Sequence, residues 1–186
     1  MSTVLDASER VVLVDEGDSE IGVGRKLETH HQGALHRAFS IFLFDPQGRT
    51  LVQKRAAHKY HSGGKWANTC CGHPRPGEDI LAAAERRLGE ELGGLQVPLS
   101  YSFLARYRAE LDGEMIENEI VHVHHGITRE TPIPNPEEAS DVRFVSLEGL
   151  LDGSDLPVAE QTAWLRHYLQ HHFETLKEIR ALCVRP

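Results

Sequence analysis

Two stretches of strand-turn-strand pattern enclose one amphipathic helix, and that order leaves few folds open to the chain. Residues 36–55, HRAFSIFLFDPQGRTLVQKR, run as an apolar strand, a turn at Asp45-Pro46-Gln47-Gly48 and a second strand, with turn residues whose backbone preferences suit a hairpin. Residues 101–127, YSFLARYRAELDGEMIENEIVHVHHGI, repeat the pattern around Asp112-Gly113, a dipeptide suited to a tight connection. Between them, EDILAAAERRLGEELGG sets Leu81, Leu88 and Leu92 at helical spacing and closes on two glycines, which end helices by taking left-handed backbone. Downstream, PVAEQTAWLRHYLQHHFETLKEIRAL places Leu165, Leu169, Phe173 and Leu176 on one stripe after a proline start, which predicts one long amphipathic helix. Strands with helices laid on them predict an α/β sandwich. TPIPNPEEA, residues 131–139, is expected to be a proline-rich surface loop rather than a domain boundary.

With 186 residues and 40% hydrophobic content, the chain can bury one good core, and it shows no repeat or long linker, so a single domain over 1–186 is expected. The charge balance is 20 Lys+Arg against 28 Asp+Glu, a formal net charge of -8, which argues against nucleic acid or an anionic membrane as the main partner. A small anionic substrate then needs local basic groups or a bound divalent cation. The twelve histidines draw attention for that reason, because imidazole and carboxylate together suit borderline divalent metals. The cysteines are Cys70, Cys71 and Cys183. An odd count with two members adjacent makes no disulfide framework and fits free thiols in a reducing compartment. The apolar run Val11 to Val14 is too short for a signal or a membrane span, so the expected location is cytoplasmic, without membrane insertion.

Three further pieces carry chemistry. NTCCGHPRPGE, residues 68–78, sets two thiols beside His73. HHQGALHRAFS supplies His30 and His36, and ENE supplies Glu117 and Glu119, which as i and i+2 share one face of a strand. Three imidazoles and two carboxylates form a plausible closed set for six-coordinate Mn²⁺, Zn²⁺ or Mg²⁺, with the sixth position open. In the extended segment neighbouring side chains face opposite sides, so only one of Cys70 and Cys71 should enter a pocket.

The helix and its flanks, from Gly72 through Glu78 to Arg86-Arg87-Leu88-Gly89-Glu90-Glu91-Leu92-Gly93, resemble the Nudix box, which in its family binds divalent metal and a diphosphate. One departure stands out: where the family's hydrolases carry a glutamate after the arginine, this chain has Arg87. Arg87 and Glu91 lie at i and i+4 on one helix face. LHRAFS, YHSGGKWANTCCGHPRPGE, RYRAE and ENE occur in the same order in the type 1 isopentenyl-diphosphate isomerases, which have a Nudix fold, and the resemblance spans roughly residues 20 to 170. It implies a Nudix-type sandwich of mixed β-sheet flanked by helices, with an N-terminal metal-ligand segment and a C-terminal helical lid. It also implies interconversion of isopentenyl and dimethylallyl diphosphate by protonation and deprotonation of the alkene, with an isoprenoid diphosphate as substrate. A Nudix hydrolase of a nucleoside diphosphate derivative is the alternative; it leaves CCGHP and ENE unexplained.

Carried over by motif, Cys71 matches the catalytic cysteine, Glu119 the catalytic glutamate, and Tyr107 the tyrosine beside it. His30, His36, His73, Glu117 and Glu119 match the metal ligands, filled by Mn²⁺, Zn²⁺ or Mg²⁺. Either His30 or His31 takes the first position, and the steps to His36 and from Lys26 favour His30. Glu91 matches the acid that holds Mg²⁺ with the substrate diphosphate. Lys26, Arg55, Lys59 and Arg87 match the basic residues around that diphosphate, and Trp164 the indole over the isoprenoid pocket. Cys70 is then a small core residue, and Cys183 has no assigned chemistry. His58, His61, His122, His124, His125, His167, His171 and His172 are read as surface or scaffold groups.

Overall fold

The computed structural model describes residues 9–111 and 113–184. The strands are β1 (Arg10–Val14), β2 (Glu20–Arg25), β3 (His36–Phe44), β4 (Thr50–Arg55), β5 (Trp66–Ala67), β6 (Cys70–Gly72), β7 (Ser100–Leu111), β8 (Met115–Ile127) and β9 (Ala139–Val145). The helices are α1 (Lys26–Gln32), α2 (Ile80–Glu91), α3 (Leu147–Asp152), α4 (Ala163–His171) and α5 (Phe173–Cys183).

Strand β3 is the hub. Along one edge it pairs in parallel with β8 over its whole length, from His36↔Glu119 to Phe44↔Ile127, and β8 continues antiparallel into β7. Along its other edge three short partners share the space: β1 at His36, β6 at Phe39 to Ile41, and β4 at Phe44. Strand β4 turns away to pair with β5 and β9. The sheet is therefore mixed and layered, with helices on both sides.

Residue alternation along β3 separates two cores. Ala38, Phe42 and Phe44 join Trp164, Leu165, Tyr168, Leu169 and Leu176 from α4 and α5. Phe39, Ile41 and Leu43 face the other way, onto Ala83, Ala84, Leu88 and Leu92 of the α2 segment. The period-two geometry of the strand thus decides which helix each side chain meets.

Three expectations change in detail. The first hairpin turns at Asp45 to Gly48, but its strands pair at a single position, Phe44↔Thr50, because residues 66–72 come between them. Thr69, fully buried, accepts the Leu43 N–H through Oγ1 at 2.9 Å and donates to the Leu51 carbonyl at 2.6 Å. The predicted long C-terminal helix is broken: Thr162 caps α4 at the Leu165 N–H, and His172, at φ -129° and ψ 18°, separates α4 from α5. Leu81 is more than a third exposed, so Ala84 and Leu88, with the half-buried Ile80, make the α2 stripe. The second hairpin forms as expected, with Gly113 at φ 74°, although Asp112 lies outside the described residues.

Thr69→Val keeps the shape at the splayed hairpin but leaves a buried N–H and a buried carbonyl without partners. The loss should be about 2–4 kcal/mol, read as a lower urea midpoint at unchanged slope. A change within about 0.5 kcal/mol would mean that Thr69 does not hold the two strands.

Candidate metal and proton-transfer site

The chain brings three histidines and a glutamate together by local folding followed by sheet register. Helix α1 ends at Gly33, whose φ of 62° is left-handed and whose amide bonds back to His30 O. A Cβ at Gly33 would lie 3.1 Å from the Ile116 side chain, so glycine is required both for the backbone and for the approach to β8. Asn118 of β8 donates to the Gly33 carbonyl at 3.0 Å and pins this reversal. The chain then enters β3 at His36, opposite Glu119. His73 follows β6, whose Cys71 stands opposite Ser40.

His30, His36, His73 and Glu119 offer ligand atoms that all lie within 4.8 Å of one another. His36 Nε2 is 3.2 Å from His73 Nε2 and 3.4 Å from Glu119 Oε1, and His73 Nε2 is 3.0 Å from the same oxygen. Atoms each about 2.1 Å from a common ion are separated by roughly 3.0–3.4 Å, so the spacing fits one cation. The tautomers fit as well. Nδ1 of His30 donates to Lys26 O and Nδ1 of His36 to Ala34 O, which leaves each Nε2 lone pair facing inward. His30 Nε2 is buried with no hydrogen-bond partner. His31 is exposed, and His30 is the one of the two that stands in the group.

Burial, aided by the His36 imidazole, lowers His30 to about 4; burial lowers His73 to about 3 against the opposing pull of Glu119. Both rings are thus neutral near pH 7 and need give up no proton to ligate. Glu119 is also pushed upward by burial, but the His36 and His73 hydrogen bonds outweigh this and hold it low. Glu117 goes the other way, driven well up by burial and then by the charge on Glu119.

Glu117 stands outside the four-residue group. His61 Nε2 lies 3.8 Å from its Oε1, and its Oε2 is buried without a hydrogen-bond partner. His61, read from sequence as surface or scaffold, is buried, pressed to about 2 by burial and then by Arg55, and its ring lies 5.7 Å from Trp164 and 6.4 Å from His30. Tyr107 pairs across the strands with Glu119; its buried hydroxyl has no well-aligned partner, and burial with both carboxyls raises its pKa.

Cys70 is fully buried in the α2 core, whereas Cys71 packs on the opposite core beneath α4. This is the split expected of adjacent residues in a strand. Burial pushes the Cys71 thiol up to about 12, and Ser40 and Asn68 pull the other way. Trp164 and Tyr168, one helical turn apart on α4, cover this side of β3.

The basic residues gather around acids. Glu91 is buried and receives Gln53 at 2.6 Å and Arg87. Arg87 also reaches Glu90 and Glu138, and Lys59 meets Glu138 at 2.6 Å. The Glu138 carboxyl is raised by burial, but Arg87 and Lys59 bring it net below its ordinary value. Arg55 lies 5.2 Å from the Trp164 ring, and Lys26 pairs with Glu9 and sits 5.7 Å from the Tyr60 ring. Sequence reasoning missed Gln53 and Glu138. The stretch read as a surface loop runs back over α2, where Asn135 N–H caps the Glu91 carbonyl at 2.8 Å, and delivers Glu138 to the site.

Because the folded pKa values of His30 and His73 lie below the ordinary 6.5, the unfolded chain binds more protons between the two. Their contribution is whole above about pH 6.5 and drains as pH falls through the folded values, at up to about 1.4 kcal/mol per pH unit for each ring. The metal-free protein should lose urea stability from pH 6.5 to 5, and His73→Gln should flatten that slope. Equal slopes in both proteins would contradict the assignment.

The NUDIX domain profile matches residues 34–168. An isopentenyl-diphosphate Delta-isomerase 1 of Aromatoleum aromaticum is 52% identical over 143 residues, covering 76% of this chain and 80% of that protein. The isopentenyl-diphosphate Delta-isomerase of Pectobacterium atrosepticum is 45% identical over 156 residues, covering 84% and 87%. Among solved structures, DR0079 from Deinococcus radiodurans is similar with a TM-score of 0.70 at 19% identity, over 95% of this chain and 100% of that one. RenU, a Nudix hydrolase from M. smegmatis, has a TM-score of 0.56 at 20% identity, over 90% and 95%. At these identities the two structures speak to the fold alone.

Proposed function

The chain belongs to the Nudix family and, within it, to the isopentenyl-diphosphate Delta-isomerases, and we propose that it interconverts isopentenyl and dimethylallyl diphosphate by adding a proton at one carbon and removing one at another. The observation that carries this reading is the convergence on one face of β3 of a buried carboxyl pair with a phenol and, four residues along the strand, a half-buried thiol. Cys71 and Glu119 flank β3 on opposite edges, close enough for the Glu119 charge to act on the thiol.

An unactivated alkene is a feeble base, so its protonation requires a strong acid in a dry pocket. His30, His36, His73 and Glu119 are the residues that would hold a resident Mn²⁺, Zn²⁺ or Mg²⁺, with Glu117 as a fifth donor. When bound, such a cation stabilises the Glu119 carboxylate and so strengthens the acid derived from it. Glu117 and Glu119 hold the proton, and Tyr107, beside both, orients or relays it to C4 of isopentenyl diphosphate. Toward dimethylallyl diphosphate the carboxyl proton goes to C4 and Cys71, as thiolate, takes the proton from C2. In the opposite direction the Cys71 thiol gives its proton to C2 and the carboxylate takes one from C4, and the enzyme exchanges one proton with solvent between turnovers. Trp164 offers a π face to the tertiary cation, worth about 2 kcal/mol or more when desolvated. Helices α4 and α5 cover the site and keep out water, which would trap the cation as an alcohol.

Lys26, Arg55, Lys59 and Arg87 bind the diphosphate, exchanging some of their present acidic partners for phosphate oxygens. Glu91 holds the Mg²⁺ that arrives with it. Arg87 stands where a hydrolase keeps a glutamate, and three acids on and just before α2 are paired: Glu78 and Glu90 bind Arg86, and Glu91 binds Arg87. No helix among the described residues is long and apolar enough to cross a membrane.

In D₂O, isopentenyl diphosphate should yield deuterated dimethylallyl diphosphate, and the same mixture should be reached from either substrate without phosphate release. Cys71→Ala should abolish turnover in the folded protein, and Cys70→Ala should change it far less. Phosphate release at a competitive rate, with no deuterium in the allylic product, would reject the isomerase reading.

A further inference from the structure

The Cys71 thiol is one link in a buried hydrogen-bonded chain that the proton-transfer scheme does not use. Tyr168 Oη lies 2.9 Å from Ser40 Oγ, Ser40 Oγ lies 3.2 Å from Cys71 Sγ, and Cys71 Sγ lies 3.1 Å from Asn68 Oδ1. Ser40, Asn68 and Tyr168 are all nearly inaccessible to water.

Proton counting fixes the direction of this chain. Asn68 Nδ2 donates to the carbonyls of Ile41 at 3.0 Å and Cys70 at 3.4 Å, so its amide is oriented by two acceptors and its Oδ1 must face the sulfur. The single thiol proton therefore goes to Asn68. A hydroxyl also has one proton, so the Ser40 to Cys71 bond requires Ser40 as donor. Ser40 Oγ can then only accept from Tyr168, whose hydroxyl donates.

We infer that Asn68 and Ser40 are positioning residues that hold the two forms of Cys71 in turn: the amide oxygen aims the thiol proton, and the Ser40 hydroxyl, kept as a donor by Tyr168, receives the thiolate. When dimethylallyl diphosphate is protonated, the S–H bond breaks, the C2–H bond forms from the alkene electron pair, and the positive charge is left at C3. The sulfur keeps the S–H electron pair, and the Ser40 O–H already points at it, so no reorientation is needed as the charge forms. In the opposite direction the thiolate takes the C2 proton, the C–H pair becomes the double bond, and the thiol returns to Asn68. This rests on the proposed isomerase activity and adds to it the groups that make Cys71 competent.

Ser40→Ala removes the donor to the thiolate while Asn68 still holds the thiol. Its kcat should fall roughly 10- to 100-fold, the size expected for a hydrogen bond to a charged group, with KM and bound metal unchanged. Because the equilibrium between the two substrates is fixed, the loss should appear in both directions. Ser40→Thr, which keeps the hydroxyl, should recover most of the rate. With isopentenyl diphosphate deuterated at C2, the isotope effect on kcat should rise in Ser40→Ala, since transfer at the sulfur becomes more rate-limiting; a packing defect would not select C2. Tyr168→Phe, which deletes one oxygen, should give a smaller loss with the same isotope signature, and it carries the test if Ser40→Ala does not fold. An active wild type beside a Ser40→Ala variant of normal kcat, or of lowered kcat with an unchanged C2 isotope effect, would overturn this inference alone. A wild type that does not isomerise would overturn the functional reading and this inference with it.

Discussion

The parallel pairing of β3 with β8 is the constraint on which the site depends. Its register sets His36 against Glu119, and a shift of one residue would turn every β8 side chain to the other face. Glu117, Glu119, Val121 and Val123 would then exchange places with Ile116, Asn118, Ile120 and His122. The register is protected because both faces of β3 are committed to different helices, and because Asn118 ties β8 to the Gly33 reversal that carries His30. Parallel strands need a long connection, and here residues 45–114 supply it, including the CCGH segment and α2.

An acidic protein handles an anionic ligand by keeping its cations local and occupied. Lys59 and Arg87 are held by Glu91 and Glu138, which fix their positions and balance their charge. The histidines follow a complementary logic. Burial makes His30, His61 and His73 hard to protonate, which leaves lone pairs available and creates a pocket where an unpaired positive charge is costly. A cation in such a pocket is tolerated where carboxylates or a π face meet it, and Glu119 and Trp164 stand at those two places.

Much of this was legible in the residues. The apolar run of HRAFSIFLF before a turn pointed to β3, the ENE spacing put two carboxylates on one face, and the extended character of CCG split Cys70 from Cys71. What failed shares a physical cause: it depends on contacts distant in sequence. Strand β1 is a short apolar run and β6 only three residues, each stable because β3 offers an edge. The hairpin of β3 and β4 has ordinary turn chemistry, yet Thr69 from elsewhere takes the hydrogen bonds that would have closed it. The break at His172 lies inside an unbroken hydrophobic stripe, so periodicity could not place it. Glu138, Gln53 and His61 carry no local pattern, since a single buried polar residue in a loop or strand looks like any exposed one until its partners are known.

The central claim is that the resident cation sits among His30, His36, His73 and Glu119 at the start of β3, not on the acids of α2. Anomalous diffraction from crystals of the protein soaked in Mn²⁺ without substrate tests it most directly. The account predicts a strong peak bonded to the three imidazole Nε2 atoms and to Glu119. A single peak on Glu78, Glu90 or Glu91, with the histidine group unoccupied at saturating Mn²⁺, would contradict it.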